Sequence, residues 1–196
     1  MKLAAGVLVF WTVIALSACE NVDDARVGGT PRGATATDGI RLAYDIRAVE
    51  VEVSRSLRVS ESNSFYPGGD IVWREDPLGD RYEQVATILR DAARQAFAAP
   101  ANGPPAVAHL RITYFHALTE RARGTTGGWH NINFVLSLTE ATSGAVLVAP
   151  YRVRTQIRGY GGARATEAVH RGETQKVRIT RHLIEVLRRE LAAPTV

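Results

Sequence analysis

The fold is decided by residues 109–140, "HLRITYFHALTERARGTTGGWHNINFVLSLTE". Apolar and polar residues alternate on both sides of a central segment, "TERARGTTGG", which is rich in charge and glycine. This alternation predicts two β-strands, each with one buried face, and the central segment predicts the connection of a hairpin. With the connection centred near residues 123–124, Leu118 is predicted to lie opposite His130, and His116 opposite Ile132.

One parity of each predicted strand is apolar and is expected to face the core. These core-facing residues are Leu110, Ile112, Tyr114, His116 and Leu118 in the first strand, and His130, Ile132, Phe134, Leu136 and Leu138 in the second. His116 and His130 are therefore predicted to be diagonal neighbours near one end of the core face.

The residues before this hairpin predict two short strands and a helix. Val49, Val51 and Val53 alternate with polar residues, as in a half-buried strand. Residues 70–73, "DIVW", predict a short edge strand. Asp80 and Glu83 form a capping-box pattern. An apolar stripe at helical spacing continues until "APANGPP" and consists of Tyr82, Val85, Ile88, Leu89, Ala92 and Ala96.

The residues after the hairpin predict a turn, a strand and a final helix. "EATSG" is typical of a turn, and residues 145–157 predict a third strand with Pro150 at a bulge or an edge. Residues 158–172 give no clear pattern. The closing helix is predicted over about 173–191, with an apolar stripe formed by Val177, Thr180, Ile184, Leu187 and Leu191 and with Leu183 beside it.

This order of elements, strand, helix, three strands and helix, predicts an α+β fold. We expect an antiparallel sheet of about four strands with two helices packed on one face. The composition is that of a globular chain, with 45% apolar and 22% charged residues. A formal net charge of +4 is too small to indicate a nucleic-acid-binding protein.

The N-terminal residues predict export and a tether. Residues 1–18 have a positive Lys2 and the apolar run "LAAGVLVFWTVIAL", which is typical of a signal peptide and too short for a spanning helix. Residues 19–39 are rich in Gly, Thr, Ala and Asp and predict a flexible tether. Residues 40–196 are predicted to form a single periplasmic domain.

The junction "Leu16-Ser17-Ala18-Cys19" resembles the lipobox of bacterial lipoproteins and matches it at all four positions. The resemblance implies that the chain is cut before Cys19, the only cysteine, and that Cys19 carries acyl chains. Because Glu20 is not aspartate, the resemblance favours the outer over the inner membrane. The alternative is an ordinary secretory signal followed by a chance cysteine.

Four segments of the domain resemble a family of uncharacterised bacterial envelope lipoproteins of unknown function. They are "FYPGGDIVWREDPLGDRYEQV", "FHALTERAR", "GGWHNINF" and "GETQKVRI". This resemblance implies no catalytic residues. The order of elements alone also resembles small lipoproteins that assist lipopolysaccharide assembly or lipid-transporting ABC systems, and fold analogy does not establish function.

Two groups of residues are candidates for chemistry. His116 and His130 could begin a metal or catalytic site, which His109, His170, Asp70 or Glu120 would have to complete, or they are structural histidines. Asp70, Glu75, Asp76, Asp80 and Glu83 surround Trp73 and could do acid–base work or bind calcium. Caps, turns and ion pairs with Arg74 and Arg81 also account for these charges.

The predicted function is that of a membrane-anchored, non-enzymatic binding or accessory lipoprotein. We expect the membrane, through Cys19, and an envelope protein or lipid as partners, and no cofactor or nucleic acid. The candidate partner surface consists of Trp73, Trp129, Arg178 and Arg181. Two alternatives stay open, a lipid-transport or lipopolysaccharide-assembly accessory and a metal-binding or hydrolytic protein that uses His116 and His130.

Overall fold

A computed structural model of the chain describes residues 42–193, which form one five-stranded sheet and four helices. In chain order the elements are β1 (Asp45–Val53), β2 (Ile71–Val72), α1 (Arg81–Ala96), β3 (Pro105–His116), α2 (Glu120–Arg123), β4 (Gly128–Glu140), β5 (Val146–Gly159), α3 (Gly162–His170) and α4 (Gln175–Glu190). The predicted α+β class is confirmed, with one strand and two helices more than expected. The predicted signal peptide, Cys19 and the tether lie outside the described residues.

The sheet has the strand order β1-β3-β4-β5, and β2 pairs with β3 beyond the end of β1. The pairs β3–β4 and β4–β5 are antiparallel, as predicted. However, β1 and β2 both run parallel to β3, so the prediction of a wholly antiparallel sheet is wrong. The reason is that α1 carries the chain back across the sheet, so that the strands before and after it point the same way.

The core lies between one face of the sheet and helices α1 and α4, which pack against each other. The predicted stripe of α1 is confirmed, since Val85, Ile88, Leu89 and Ala92 are all buried. Asp80 caps the helix as predicted, accepting hydrogen bonds from the backbone amides of residues 82 and 83. The other face of the sheet, which we call the open face, carries exposed and half-buried polar residues.

The buried face of α4 differs from the predicted stripe. It consists of Gln175, Ile179, Leu183, Val186 and Leu187. Val177 is 40% exposed, because the spacing of Ile179, Leu183 and Leu187 turns the helix so that these three residues meet the core.

A bulge in β3 changes which residues face the core. Ile112 pairs with Phe134, but Tyr114 pairs with Asn133, so Thr113 is an extra residue in β3. Such an insertion moves every later side chain to the opposite face. Phe115 is therefore fully buried, and the predicted core positions of Tyr114 and His116 are wrong.

The sequence predicted the irregularity in β5 but neither α2 nor α3. β5 contains a bulge at residues 149–150, as predicted for Pro150, because Leu136 pairs with Tyr151 and Leu138 with Val148. The segment without a clear pattern contains the end of β5 and all of α3, and the hairpin connection contains α2.

No helix within residues 42–193 is long and apolar enough to cross a membrane.

The two ends of the described chain meet at one end of the domain. The amide of Ala43 donates to the carbonyl of Leu191 over 2.9 Å, and Leu42 forms a bridge with Ala192. β1 and β3 begin at this end. The opposite end of the domain therefore holds the end of β3, the start of β4, the end of β5, and the N-termini of α1 and α4.

Candidate functional site

His116 and His130 lie on opposite faces of the sheet. His116 pairs with Asn131 on the open face, whereas His130 is fully buried on the core face. The predicted diagonal pair is wrong, because the bulge at Thr113 reverses the orientation of His116. The described residues contain no group of three histidine, cysteine or acidic side chains placed to hold a metal ion.

Both ring nitrogens of His116 have partners. The Gly69 carbonyl lies 3.1 Å from Nε2, which must therefore be the protonated nitrogen. Nδ1 then accepts from the hydroxyl of Tyr114 over 2.8 Å, and the two rings stack with centroids 4.0 Å apart. Burial lowers the pKa of His116, which favours this neutral tautomer.

His130 is buried with one ring nitrogen satisfied. Its Nδ1 accepts from the amide of Leu118 over 3.3 Å, so neutral His130 carries its proton on Nε2, for which residues 42–193 offer no hydrogen-bond partner. A Cβ on Gly159 would lie 2.9 Å from this nitrogen, so only glycine allows β5 to approach so closely. Burial, with smaller effects from the charges of Arg178 and His182, lowers the pKa of His130 to about 3.

The open face has a depression of about 390 Å³ that is lined mainly by polar residues. His109 lies in it and is held by two neighbouring strands. Its Nδ1 is 2.9 Å from a carboxylate oxygen of Glu50, and its Nε2 is 2.9 Å from the hydroxyl of Thr139. The Glu50 side chain is 68% exposed, so these contacts resemble ordinary cross-strand pairs on a wet surface.

Trp73 belongs to the core and not to a partner surface. The side chain is fully buried, with its ring edge-on to Phe115 at 5.9 Å between centroids. Its indole nitrogen donates to Asp76 over 2.8 Å. The charged residues around Trp73 suggested exposure, but Asp76 satisfies the one polar atom of the indole and lets the ring be buried.

Glu75 and Asp76 bind the N-terminus of α4. The Glu75 carboxylate accepts from the backbone amides of Gln175, over 3.1 Å, and Lys176, over 2.6 Å. Both Asp76 oxygens lie 3.0 Å from the Lys176 ammonium. Because a helix N-terminus has unpaired amides and a positive partial charge, these carboxylates have a structural role there. Ion pairing was expected for this cluster, although with other partners.

Replacing Glu75 with glutamine is expected to lower the free energy of unfolding by about 1–3 kcal/mol, because two charge-assisted hydrogen bonds to α4 are weakened. Urea unfolding followed by circular dichroism measures the change. Glu167→Gln is the matched control, since the 71% exposed Glu167 pairs only with Arg171 on the surface of α3. Equal effects of the two substitutions would contradict the capping role.

A chain of ion pairs is centred on Arg74 and Glu61. Arg81 and Arg74 both bind the carboxylate of Glu61, at 2.7 and 3.1 Å, and Arg74 also binds Glu120 at 2.7 Å. Arg81 is only 4% exposed and also donates to the carbonyls of Asp76 and Pro77. These contacts fix the loop before β2 against α1 and α2, so their role is structural.

Exposed apolar side chains collect at the end of the domain opposite Leu42 and Ala192. Tyr66 is 96% exposed, Leu78 84% and Trp129 47%. These three residues belong to separate loops and strand ends. The full set of large exposed apolar residues at this end is Phe65, Tyr66, Leu78, Trp129, Val169 and Val177. At the other end, Val146 is the only large apolar residue among the described residues that is exposed to a similar degree. Such a concentration is typical of an interaction surface.

Arginines stack on aromatic rings at the same end. The guanidinium carbons of Arg164 and Arg178 lie 4.0 and 3.5 Å from the ring centroid of Tyr160. Two further pairs are Arg121 over Phe65 at 5.0 Å and Arg158 over Trp129 at 5.4 Å. We call this set the aromatic–arginine end, and it consists of Phe65, Tyr66, Trp129, Tyr160, Arg121, Arg158, Arg164 and Arg178.

The four arginines of the aromatic–arginine end make no ion pair with any carboxylate of residues 42–193. By contrast, the carboxylates nearby are paired, as with Glu75 and Arg123 or Asp80 and Arg55. Arg181, which the sequence also suggested, is exposed and pairs with Glu173 at 3.6 Å. The aromatic–arginine end therefore offers uncompensated positive charge beside exposed aromatic rings.

Two of the four predicted surface residues, Trp129 and Arg178, belong to this end, and its six other members were not predicted from the sequence. The members of this end come from four separate parts of the chain, which only the fold brings together. One signal was available, since adjacent aromatic residues at 65–66 stand directly before "PGG", a turn sequence that is normally exposed. Cys19, the predicted lipidation site, lies outside the described residues.

The model of one protein family, a family of unknown function (DUF6778), matches residues 44–196. Among proteins with curated descriptions, none matches this sequence.

Several solved structures are distantly similar in fold. A Caulobacter crescentus protein provisionally described as a lipoprotein has 15% identity and a TM-score of 0.34, over 54% of this chain and 79% of its own. A DUF330 protein from Xanthomonas campestris has 9% identity and a TM-score of 0.46, over 79% and 88%. A PelC dodecamer from Paraburkholderia phytofirmans has 16% identity and a TM-score of 0.36, over 79% and 92%. Similarity this distant transfers no function to the chain.

Proposed function

The chain belongs to this family of unknown function, DUF6778, and we propose that it is a non-enzymatic binding protein of the cell envelope, held to a membrane by acyl chains on Cys19. The proposal of an anchor is supported by residues 1–19 alone, where an apolar run ends in four residues that match a lipobox. Acyl chains on Cys19 would bury enough methylene groups for stable anchoring.

The observation that carries the binding role is the aromatic–arginine end. Arginine and large aromatic residues are enriched at protein interfaces, because both bury much surface and still form directed polar contacts. Here the arginines have no carboxylate partner in the described domain, and Tyr66 and Trp129 are exposed. An envelope component that presents anionic groups would supply the missing partner.

The position of this surface agrees with tethering. The chain enters the domain beside Leu191, at the end opposite Trp129. The twelve residues of β3 run from one end to the other, and at about 3.3 Å per residue the two ends are separated by roughly 40 Å. A tether that enters at residue 42 therefore leaves the aromatic–arginine end accessible.

The contacts of the histidines support a non-enzymatic role. His109, His116 and His130 each have at least one ring nitrogen bound by a neighbouring strand or loop. His182 is likewise 2.6 Å from the hydroxyl of Thr155. These contacts join neighbouring strands, loops and helix α4, and His116 and His130 cannot share a ligand because they face opposite sides of the sheet.

The double substitution Tyr66→Ala and Trp129→Ala is expected to abolish recovery of the envelope partner, because it removes the most exposed aromatic contacts of this surface. The acylated protein is purified gently in detergent from native membranes, and mass spectrometry identifies both the proteins and the lipids that accompany it. Val146→Ala is the control, since Val146 is 67% exposed at the other end of the domain.

Two results would contradict the proposal. One is recovery of the wild-type protein without any stoichiometric protein or lipid beyond its own acyl chains. The other is a partner that is retained equally by the Tyr66/Trp129 variant and by the Val146 control. A lipid found in stoichiometric amount and released by the double substitution would instead support a lipid-binding form of the proposed function.

A further inference from the structure

We propose that the aromatic–arginine end binds the anionic surface of a phospholipid bilayer. This inference rests on the proposed function and names the chemical class of its partner. Tryptophan and tyrosine favour the boundary between lipid headgroups and acyl chains, where the ring is apolar and one atom is polar. Trp129 and Tyr66 are both exposed at this end, together with Leu78.

The charge of this end complements lipid phosphate. Arg121, Arg158 and Arg164 are exposed, stack on aromatic rings and have no carboxylate partner among residues 42–193. Guanidinium groups bind phosphate oxygens through two parallel hydrogen bonds. A basic residue near an anionic leaflet contributes about 1 kcal/mol to binding, which is about fivefold in affinity.

Stacking prepares these guanidinium groups for binding. Arg178 lies 3.5 Å from the centroid of Tyr160 and also donates to the carbonyl of Arg158 over 2.6 Å. Arg164 lies on the same ring at 4.0 Å. Because the side chains are held before a ligand arrives, less conformational entropy is lost when they bind phosphate.

The shape of this end favours a bilayer over a protein partner. The exposed apolar residues sit on separate elements, Tyr66 in the loop before β2, Leu78 in the loop before α1, and Trp129 at the start of β4. Side chains as exposed as Tyr66, at 96%, and Leu78, at 84%, protrude and do not line a pocket. A fluid interface can close around scattered protrusions, whereas a protein partner would need a matching set of hollows.

The tether is long enough for this contact. Residues 20–41 can span at most about 75 Å when fully extended, at 3.3–3.6 Å per residue. The domain itself is roughly 40 Å long from Leu42 to the aromatic–arginine end, from the twelve residues of β3. The tether can therefore let the domain turn towards the membrane that holds Cys19.

The test uses the fluorescence of Trp129 in the acylated protein. Cleavage before Cys19 removes Trp11, so only Trp73 and Trp129 emit. Trp73 is fully buried and serves as the internal reference. The protein is reconstituted into vesicles with brominated acyl chains, made either of phosphatidylethanolamine and phosphatidylglycerol or of phosphatidylcholine alone. Trp129→Phe identifies the emission that belongs to Trp129.

We expect brominated acyl chains to quench Trp129 in the phosphatidylglycerol vesicles and much less in the phosphatidylcholine vesicles. High salt and the triple substitution Arg121→Gln, Arg158→Gln and Arg164→Gln should each remove the difference, because three arginines at about fivefold each account for roughly a hundredfold in affinity. Arg94→Gln, on the exposed side of α1 away from this end, is the matched control and should leave quenching unchanged.

Equal quenching in both kinds of vesicle, or none in either, would overturn the bilayer inference. If Trp129 is not quenched but the Tyr66/Trp129 variant still loses a protein partner in the purification described above, this end binds a protein, and the proposed function stands without the lipid surface. Failure of both experiments would overturn both proposals.

Discussion

Replacing Arg81 with methionine is expected to lower the free energy of unfolding by about 1.5–3 kcal/mol, the range for hydrogen bonds to a charged group, because Glu61 is itself 42% exposed. The Arg81 guanidinium is 4% exposed and binds both carboxylate oxygens of Glu61, at 2.7 and 3.1 Å. It also donates to two backbone carbonyls and to Gln84. Methionine fills similar space but donates no hydrogen bond, so the Asp76 carbonyl loses its donor, while Glu61 keeps Arg74 and the Pro77 carbonyl keeps Gln84.

Urea unfolding measures this change, and Arg94→Met provides the matched control. Arg94 lies on the same helix, but its side chain is 68% exposed and it meets Asp91 only at 3.8 Å. The control should change stability by no more than about 0.5 kcal/mol. Arg81→Lys should lower the free energy of unfolding by most of the amount that Arg81→Met does, because an ammonium cannot form the paired contact with Glu61. Similar unfolding curves for Arg81→Met and Arg94→Met would show that the buried network is unimportant.

Acidification is expected to destabilise the domain through His130. The folded-state pKa of His130 is about 3, because the ring is buried, whereas an exposed histidine titrates near 6.5. Between these values the unfolded chain binds a proton that the folded chain excludes. The stability that His130 contributes is therefore complete above pH 6.5 and falls as the pH decreases, by about 1.4 kcal/mol per pH unit.

At pH 4.5 this loss amounts to about 2–3 kcal/mol. Burial also lowers the pKa values of His116 and His182, so both histidines add to the same trend. His130→Gln isolates the part due to His130, since glutamine can accept from the Leu118 amide and does not titrate. The free energies of unfolding of wild type and variant should converge as the pH falls from 7 to 4.5. A constant difference between the two curves would contradict the assignment.

The sequence predicted those features of the fold that depend on neighbouring residues. Helix α1 was predicted from its apolar spacing and its cap at Asp80, because both signals act within two turns of helix. The β4 strand was predicted correctly because its alternation is unbroken, and His130, Ile132 and Phe134 are all buried.

The features that the sequence predicted wrongly depend on contacts between residues that are distant in the chain. No local pattern marks Thr113 as the extra residue of a bulge, although it decides that His116 faces outwards. The parallel pairing of β1 depends on β3 lying between β1 and β4, which alternation within β1 does not specify. Burial of Trp73 depends on Phe115, more than forty positions away, and on Asp76 as the acceptor for its indole.

The candidate site was predictable only in part for the same reason. Trp129 and Arg178 were identified individually, from a loop position and a helical face. Their proximity to Arg158 and Tyr160 was not predicted, because the sequence did not define the end of β5 or the start of α3. A cluster built from single residues of several elements has no sequence motif, and the fold alone shows that its arginines stack on its aromatic rings.

The parallel edge strand β1 has a mechanical consequence. The chain enters β1 at Asp45, at one end of the domain, while the surface proposed to bind a partner lies at the other end. Tension between an anchor at Cys19 and a bound partner would therefore act along the strands. The ladder from Asp45 to Val53 would be sheared, with all of its hydrogen bonds to β3 sharing the force, and would not be peeled open one bond at a time. A domain loaded in this direction resists extension, because the hydrogen bonds of the ladder have to break together.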